Sequence, residues 1–478
     1  MSHTSTFYLL FLAAGASVYY LLPPRLRPLW LLSLSYLFYL TWQPAFLLVL
    51  IGVTIAAFVF GRNIRRAGEG NRLLMATAVI ALLSPLVFFK YYNFLNESIS
   101  HIFSSFFGSA GALPSQPYLI PLGISFFTFQ AISYVADIYR GYLKPEKSFI
   151  RFAAYVAFFP TLLAGPIERA RSILGQLRRP IAFEYRNVQA GLQLILWGVF
   201  KKVVIADRLT DFINTVDANP RDQQGVMVYL AIVFAVFQLF CDFSAYSDIA
   251  VGSGRMFGIR LSKNFDDRVY ASPSREIFWR GWHRTLTSWL RDYVFFPLSH
   301  GVTSRSWLYV NLIFVYLLVG IWHNATTGAI TWGFLNGIWL VLEKSTKEAR
   351  WQFFRRMGLD TDGRLYNFLG WVIVFHLGAL IWVVFRSASP LDAAQFIKHI
   401  GNTNAGLTVG QLRGCVPSIV LILLMDQVNK RIPKGENIDA LLSGRTMLVR
   451  WVFYILLIEL ILRYSFVFDQ VNFRYFNF

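Results

Sequence analysis

Charge is scarce in this chain. Asp, Glu, Lys and Arg make up 15% of its 478 residues, against roughly a quarter in soluble domains, which points away from a globular cytosolic protein. Cysteine is scarcer still: Cys241 and Cys415 are the two in the sequence, and both lie in or at apolar segments, so the sequence does not support a disulfide framework. Acidic residues are short relative to basic ones, 26 against 45, for a net charge of +19. The basic residues fall in short loops between apolar runs, where the positive-inside rule and anionic head groups account for them; no nucleic-acid partner is expected. Also missing are a metal-ligating cluster, a phosphate-cradling glycine loop and a serine nucleophile elbow. The glycine-rich GSGRMFG does not follow a strand, so a dinucleotide reading fails on context.

What is abundant is apolar. Hydrophobic residues reach 55% and aromatics 17%. Runs such as PAFLLVLIGVTIAAFVFG and LLMATAVIALLSPLVFF recur along the chain, and ~20 apolar residues suffice for one helical crossing. The fold class is therefore an all-α polytopic membrane protein, with the lipid bilayer as its first partner. TFYLLFLAAGASVYYLL lacks the basic flank of a signal peptide and is read as a retained first span. With no repeat period and no long polar linker, residues 1–478 read as a single membrane domain.

Loop charges give the topology. Arg25 and Arg27, then Arg62, Arg65, Arg66 and Arg72, mark cytoplasmic loops, while Asn93 to Pro117 contains no Lys or Arg and reads as an outer loop. Alternation breaks at FIRFAAYVAFFPTLLAGPI, which is basic on both flanks; a re-entrant segment over 149–168, broken by Pro160, Gly165 and Pro166, resolves it. The rest gives about 11–12 spans of ~20 residues, with both termini outside, including the final NFRYFNF.

Four groups of polar residues stand out. In FWRGWHRTLTSWLRDYVFFPL (278–298), Trp279, Trp282, Leu286, Trp289, Leu290 and Tyr293 share one helical face, as an amphipathic helix lying at the interface requires, with His283 at the edge of that face. His323 closes the apolar run NLIFVYLLVGIW; ionisable groups at such depth mark functional sites, and imidazole suits proton transfer because its ordinary pKa lies near neutrality. FQLFCDFSAYSDIAVGSGRMFG carries Asp242, Tyr246 and Asp248, fit to line a cavity, bind a cation or pair with arginines; the six-residue spacing argues against a shared metal. Asp137 and Glu168 are expected to anchor helix ends against Arg140 and Arg169.

These pieces together resemble the membrane-bound O-acyltransferase (MBOAT) family, in its bacterial branch typified by alginate O-acetyltransferase. The resemblance is carried by ISFFTFQAISYVADIYRG, FFPTLLAGPIERARSILGQL and GVFKKVVIADRL, then by FDDRVYASPSREIFWRGWHRTLTSWLRDYVFFPL and GIWHNATTGAITWGFLNG, in that order across roughly residues 85–345. It implies a ring of tilted helices, with re-entrant and interfacial helices, around a core where a cytoplasmic and an outer funnel meet. It places the family's required histidine at His323 and its second polar position at His283. Where the family usually has glycine after the WH pair, this chain has Asn324, and the usual HG later in that block is Asn336-Gly337.

The expected activity is O-acetylation. His323 acts as general base or transient acyl carrier on an acceptor hydroxyl; Asn324, Asn336, Asp242, Tyr246 and Asp248 are candidates for orienting substrate or stabilising an oxyanion. Acetyl-CoA is the expected donor substrate, with Arg275, Arg280, Arg284 and Arg291 as candidates to meet its phosphates; no bound cofactor or metal is expected. The acceptor is a cell-surface polysaccharide reached through an extracytoplasmic acetyl-accepting or transferase protein, an alginate-like exopolysaccharide first and peptidoglycan second. The location is the bacterial inner membrane. D-alanyl transfer to teichoic acid is the related alternative. From other classes come a proton-coupled transporter or channel using His323, Asp242 and Asp248, and a non-catalytic scaffold.

Overall fold

The computed structural model describes residues 3–66, 71–107, 120–403 and 409–465, and every regular element among them is a helix. Among the described residues, six helices are long and apolar enough to cross a membrane: Pro44–Arg66, Arg72–Glu97, Tyr185–Ala218, Gly225–Met256, Arg305–His323 and Arg364–Arg386. The larger number expected from the sequence included shorter apolar helices. Thr6–Leu21 has 16 residues and Arg27–Leu40 has 14, both below the ~20 of a full crossing. Side chains such as Leu48, Leu73 and Ile373 face outward although strongly apolar, as a lipid-facing surface requires.

The described chain packs as two compact units, residues 1–192 with 250–262, and residues 193–249 with 263–478. The first is held by aromatic rings, Tyr8 and Phe38 each packing on Phe159, and by a hydrogen bond of 2.8 Å between the Tyr8 hydroxyl and Ser253. The segment expected to be re-entrant is buried and broken: helix Phe149–Val156 ends, helix Phe159–Leu162 follows, and the chain then runs irregularly to Ala170. Pro160 sits in the first turn of the second helix rather than at the break, where its missing N–H costs nothing. Gly123, at φ +75°, approaches this segment so closely that a Cβ would lie 2.1 Å from the Leu162 carbonyl oxygen. Glu168 accepts hydrogen bonds from the backbone and hydroxyl of Ser262, a partner the sequence reading did not supply. The stretch from Asn93, expected to be a loop, stays helical to Phe107; its remainder, like NFRYFNF, lies outside the described residues.

In the second unit, helices Arg305–His323 and Thr327–Ser345 form a close antiparallel hairpin. Membrane helices gain little from apolar burial against each other, so small residues that let backbones approach matter most. Gly320 and Gly333 face each other here: a Cβ on Gly320 would lie 2.3 Å from the Ala329 carbonyl oxygen, and one on Gly333 would lie 2.4 Å from that of Tyr316. The turn is short because Thr326 caps the second helix, accepting from the Ala329 N–H at 3.2 Å.

Candidate active site

His323 is the last residue of its helix, with Asn324 exposed at the C-cap. Its ring is half-buried and packs on Trp322 at 4.4 Å, Phe385 at 5.3 Å and Trp332 at 5.6 Å between centroids. It lines a cavity of about 70 Å³ whose walls include Trp282, Trp332, Trp382 and Phe385, with Tyr270 and Arg275 as its other polar side chains. At 10–15 Å³ per water on this measure, that is room for on the order of five waters or one small organic group.

His283 does not lie on the face of one continuous helix. The expected helix is broken into Arg275–Gly281 and Arg284–Leu290, and His283 sits between them at φ +44°, ψ +53°, the one non-glycine residue with positive φ among those described. Left-handed backbone at a bulky residue persists only where the surroundings enforce it and clusters at functional sites. The side chain is 1% exposed, edge-on to Phe243 at 4.7 Å and 6.4 Å from Trp322. Its Nδ1 lies 3.1 Å from Asn264 Oδ1.

The tautomer follows from that amide. Asn264 Oδ1 also accepts the Thr285 backbone N–H at 3.2 Å, and a backbone N–H can only donate, so the atom it meets is the oxygen. His283 Nδ1 must then carry the proton and Nε2 the lone pair. Burial lowers the pKa of His283 to about 3, which keeps the ring neutral.

Asp242 and Asp248 pair with lysines, not arginines. Lys202 lies 2.8 Å from Asp242 and 2.7 Å from Asp207; Lys201 lies 2.8 Å from Asp248 and donates to Ser244 at 2.8 Å. Both lysines belong to the π-helical turn Lys201–Ala206, a local form that recurs at functional sites. Tyr246 is buried on the same helix as the two aspartates, and Ser247 accepts from Asn264 Nδ2 at 3.3 Å. These two lysines and Asn264 had no assigned role in the sequence reading. The signal that could have found them is the KK pair inside the apolar run GVFKKVVIADRL.

The four arginines separate into two kinds. Arg280 pairs with Glu276, Arg284 with Asp266 at 3.1 Å and Arg291 with Asp292 at 2.9 Å, and all three are exposed. Arg275 is buried, and its Nε and Nη2 donate to Asn336 Oδ1, the first at 3.0 Å. The Asn336 amide nitrogen donates to the Trp332 carbonyl at 2.8 Å, so this side chain is spent on holding Arg275. Burial lowers the Arg275 pKa to about 10, still charged at neutrality. Among the described residues, no group of three or more His, Cys, Asp or Glu is placed to hold a metal ion.

The cavity histidine, the second buried histidine and the lysine–aspartate pairs all fall within residues 142–386, the stretch that matches the profile of the MBOAT, membrane-bound O-acyltransferase family. The chain is also 37% identical over 392 residues to a probable alginate O-acetylase of Pseudomonas aeruginosa, covering 80% of this chain and 71% of that one. This chain belongs to the membrane-bound O-acyltransferase family. As a member of it, the protein is a multi-pass membrane O-acyltransferase in the alginate O-acetylase-like branch. Two further relatives widen the comparison. A peptidoglycan O-acetyltransferase of Helicobacter pylori is 31% identical over 84% of this chain and 80% of its own length. A teichoic acid D-alanyltransferase of Bacillus subtilis is 26% identical over 67% of this chain and 79% of its own. The MBOAT match includes every site residue named from the sequence, from Asp242 to Asn336.

Proposed function

We propose that this protein transfers an acetyl group from a thioester donor at the cytoplasmic face, acetyl-CoA, to an extracytoplasmic acceptor, with His323 as the general base. The observation that carries the reading is the placement of an imidazole at the end of an apolar helix on the wall of a small, mostly apolar cavity. His323 takes the proton of the acceptor hydroxyl, the oxygen attacks the acyl carbon, and the thiolate leaves with that proton. His283, neutral and with Nε2 as its lone-pair nitrogen, supports the site from its buried pocket. The arginine loops suit donor phosphates at the inner face.

The acceptor is ultimately a cell-surface polysaccharide, reached through an extracytoplasmic acetyl-accepting or transferase protein, in a bacterial inner membrane with both termini outside. The names of the relatives favour this order: alginate acetylation at 37% identity, peptidoglycan acetylation at 31%, D-alanylation at 26%. The test is ester-linked acetate on purified extracellular polysaccharide from cells carrying His323→Ala in place of the native protein, at matched membrane levels. Loss of acetate supports transfer chemistry at His323. Retained acetate overturns it and favours the scaffold or transporter reading.

A further inference from the structure

Arg275 is a buried cation with no carboxylate within ion-pairing distance among the described residues. Its side chain is 4% exposed. Two of its five N–H groups go to Asn336 Oδ1. Its other neighbours are aromatic faces, Phe278 at 4.2 Å, Trp339 at 4.9 Å and Trp279 at 5.4 Å from the guanidinium carbon. Glu343, the nearest acid in charge terms, is occupied elsewhere: its two oxygens accept the backbone N–H groups of Arg275 and Glu276 at 2.8 and 3.1 Å. Nη1 accordingly has no acceptor among the described residues. It lies over Gly378, where an added Cβ would be only 3.2 Å away, and both residues line the cavity that holds His323.

A desolvated guanidinium left with free donors is costly unless an anionic or strongly polarised oxygen completes it. We infer that this cavity is an oxyanion site, in which Arg275, oriented by Asn336, receives the acyl carbonyl oxygen while His323 serves the acceptor hydroxyl. The inference rests on the acyl-transfer reading above and deepens it by naming the group that stabilises the developing charge. Attack by the acceptor oxygen forms the new C–O bond and moves the carbonyl π pair onto that oxygen, which faces Nη1; the hydroxyl proton passes to His323. Collapse restores the carbonyl, breaks the C–S bond and returns the proton to the departing thiolate. A fixed charge aimed at the oxyanion, in a water-poor site, stabilises the transition state more than the ground state.

The experiment uses the full-length protein in lipid nanodiscs and sodium acetate as the probe, since its carboxylate offers the same acyl size with an anionic oxygen. Trp282, Trp332 and Trp382 line the cavity, so intrinsic fluorescence reads occupancy, with sodium chloride at equal ionic strength as the reference. The wild type is expected to show a saturable response, Arg275→Lys a weakened one, and Arg275→Gln an affinity at least tenfold lower. Polysaccharide acetylation should fall by about 10²–10³ in Arg275→Gln, the range for loss of one oxyanion donor. Gly378→Ala puts a methyl 3.2 Å from Nη1 while leaving the arginine itself in place, and it should weaken acetate binding even if Arg275→Gln fails to fold. Wild-type acetate affinity and acetylation in a folded Arg275→Gln, or unaltered binding in Gly378→Ala, overturns the inference. Lost acetate binding in Arg275→Gln alongside undiminished acetylation in His323→Ala supports the anion site and overturns the acyl-transfer reading instead.

Discussion

The indole of Trp322 makes ring contacts with both histidines, at 4.4 Å to His323 and 6.4 Å to His283 between centroids. One ends a long apolar helix and the other sits at a strained turn, so this buried indole ties two separately positioned rings into one packed cluster. Trp322→Ala removes that shared wall. It should cost about 3–5 kcal/mol of stability and lower acetylation more than its effect on protein level explains. Trp322→Phe, which keeps an aromatic face, should retain most of both. Thermal midpoints and acetate content measured on the same membranes check this, and equal acetylation per folded protein in Trp322→Ala would sink it.

The Asn264–His283 contact fixes a protonation state. Nitrogen-15 shifts of His283 should show Nδ1 as the protonated nitrogen and Nε2 as the lone-pair one throughout pH 5–8. Because burial lowers its pKa to about 3 from an ordinary 6.5, folding releases a proton from this residue at acid pH. Its contribution to stability is whole above pH 6.5 and is lost at about 1.4 kcal/mol per pH unit as pH falls from there toward 3. Asn264→Asp keeps the acceptor for Thr285 but puts a carboxylate beside Nδ1, which raises the His283 pKa toward its ordinary value and so shrinks the stability this residue loses as pH falls below 6.5. Asn264→Leu leaves Nδ1–H unanswered and should destabilise by about 1–3 kcal/mol. An Nε2–H tautomer in the wild type would refute the assignment.

His323 was legible because an ionisable ring that closes an apolar run has few structural uses, and the membrane class followed from the runs themselves. The lysine–aspartate pairs were not. Asp242 and Asp248 and their partners Lys202 and Lys201 lie on different helices, and one-dimensional spacing carries no information on which helices meet. The helix across 278–298 was misread for a related reason: Trp279 and Trp289 keep their three-and-four spacing across the break, so periodicity ran smoothly over a left-handed turn at His283 that only tertiary contacts enforce. Arg275 stood with Arg280, Arg284 and Arg291 as a candidate for the donor phosphates, and nothing in the one-dimensional pattern set it apart, because the Asn336 that holds it is 61 residues away.

Lys202 holds two buried carboxylates at once, Asp207 and Asp242, and its side chain is 2% exposed. Lys202→Met strands both charges and should destabilise by about 3–5 kcal/mol, enough to reduce membrane levels. Lys201→Met should cost less, because the Asp248 side chain it abandons is 23% exposed and can be hydrated. The order of the two melting temperatures is the measurement; the reverse order would show that the Lys201 contacts are the stronger anchor.

The glycine seam sets where His323 stands. Gly320 is on the same helix, less than a turn before the histidine, and its contact is with backbone rather than with a side chain that could swing aside: a Cβ there would lie 2.3 Å from the Ala329 carbonyl oxygen. Gly333→Ala meets the Tyr316 carbonyl oxygen at 2.4 Å in the same way. Either substitution forces the two helices apart, at a cost of about 1–3 kcal/mol for overpacking, and displaces the part of the cavity wall that His323 and Trp332 supply. A shift near 1 Å at a reacting group is enough for a loss of about 10²-fold, so acetylation should fall further than stability does. Gly52→Ala is the control, since nothing lies within 4 Å of its added Cβ and a helical glycine replaced by alanine gains about 0.5–1 kcal/mol. If Gly320→Ala and Gly333→Ala both melt and acetylate like Gly52→Ala, the close approach of these helices is not what positions the histidine.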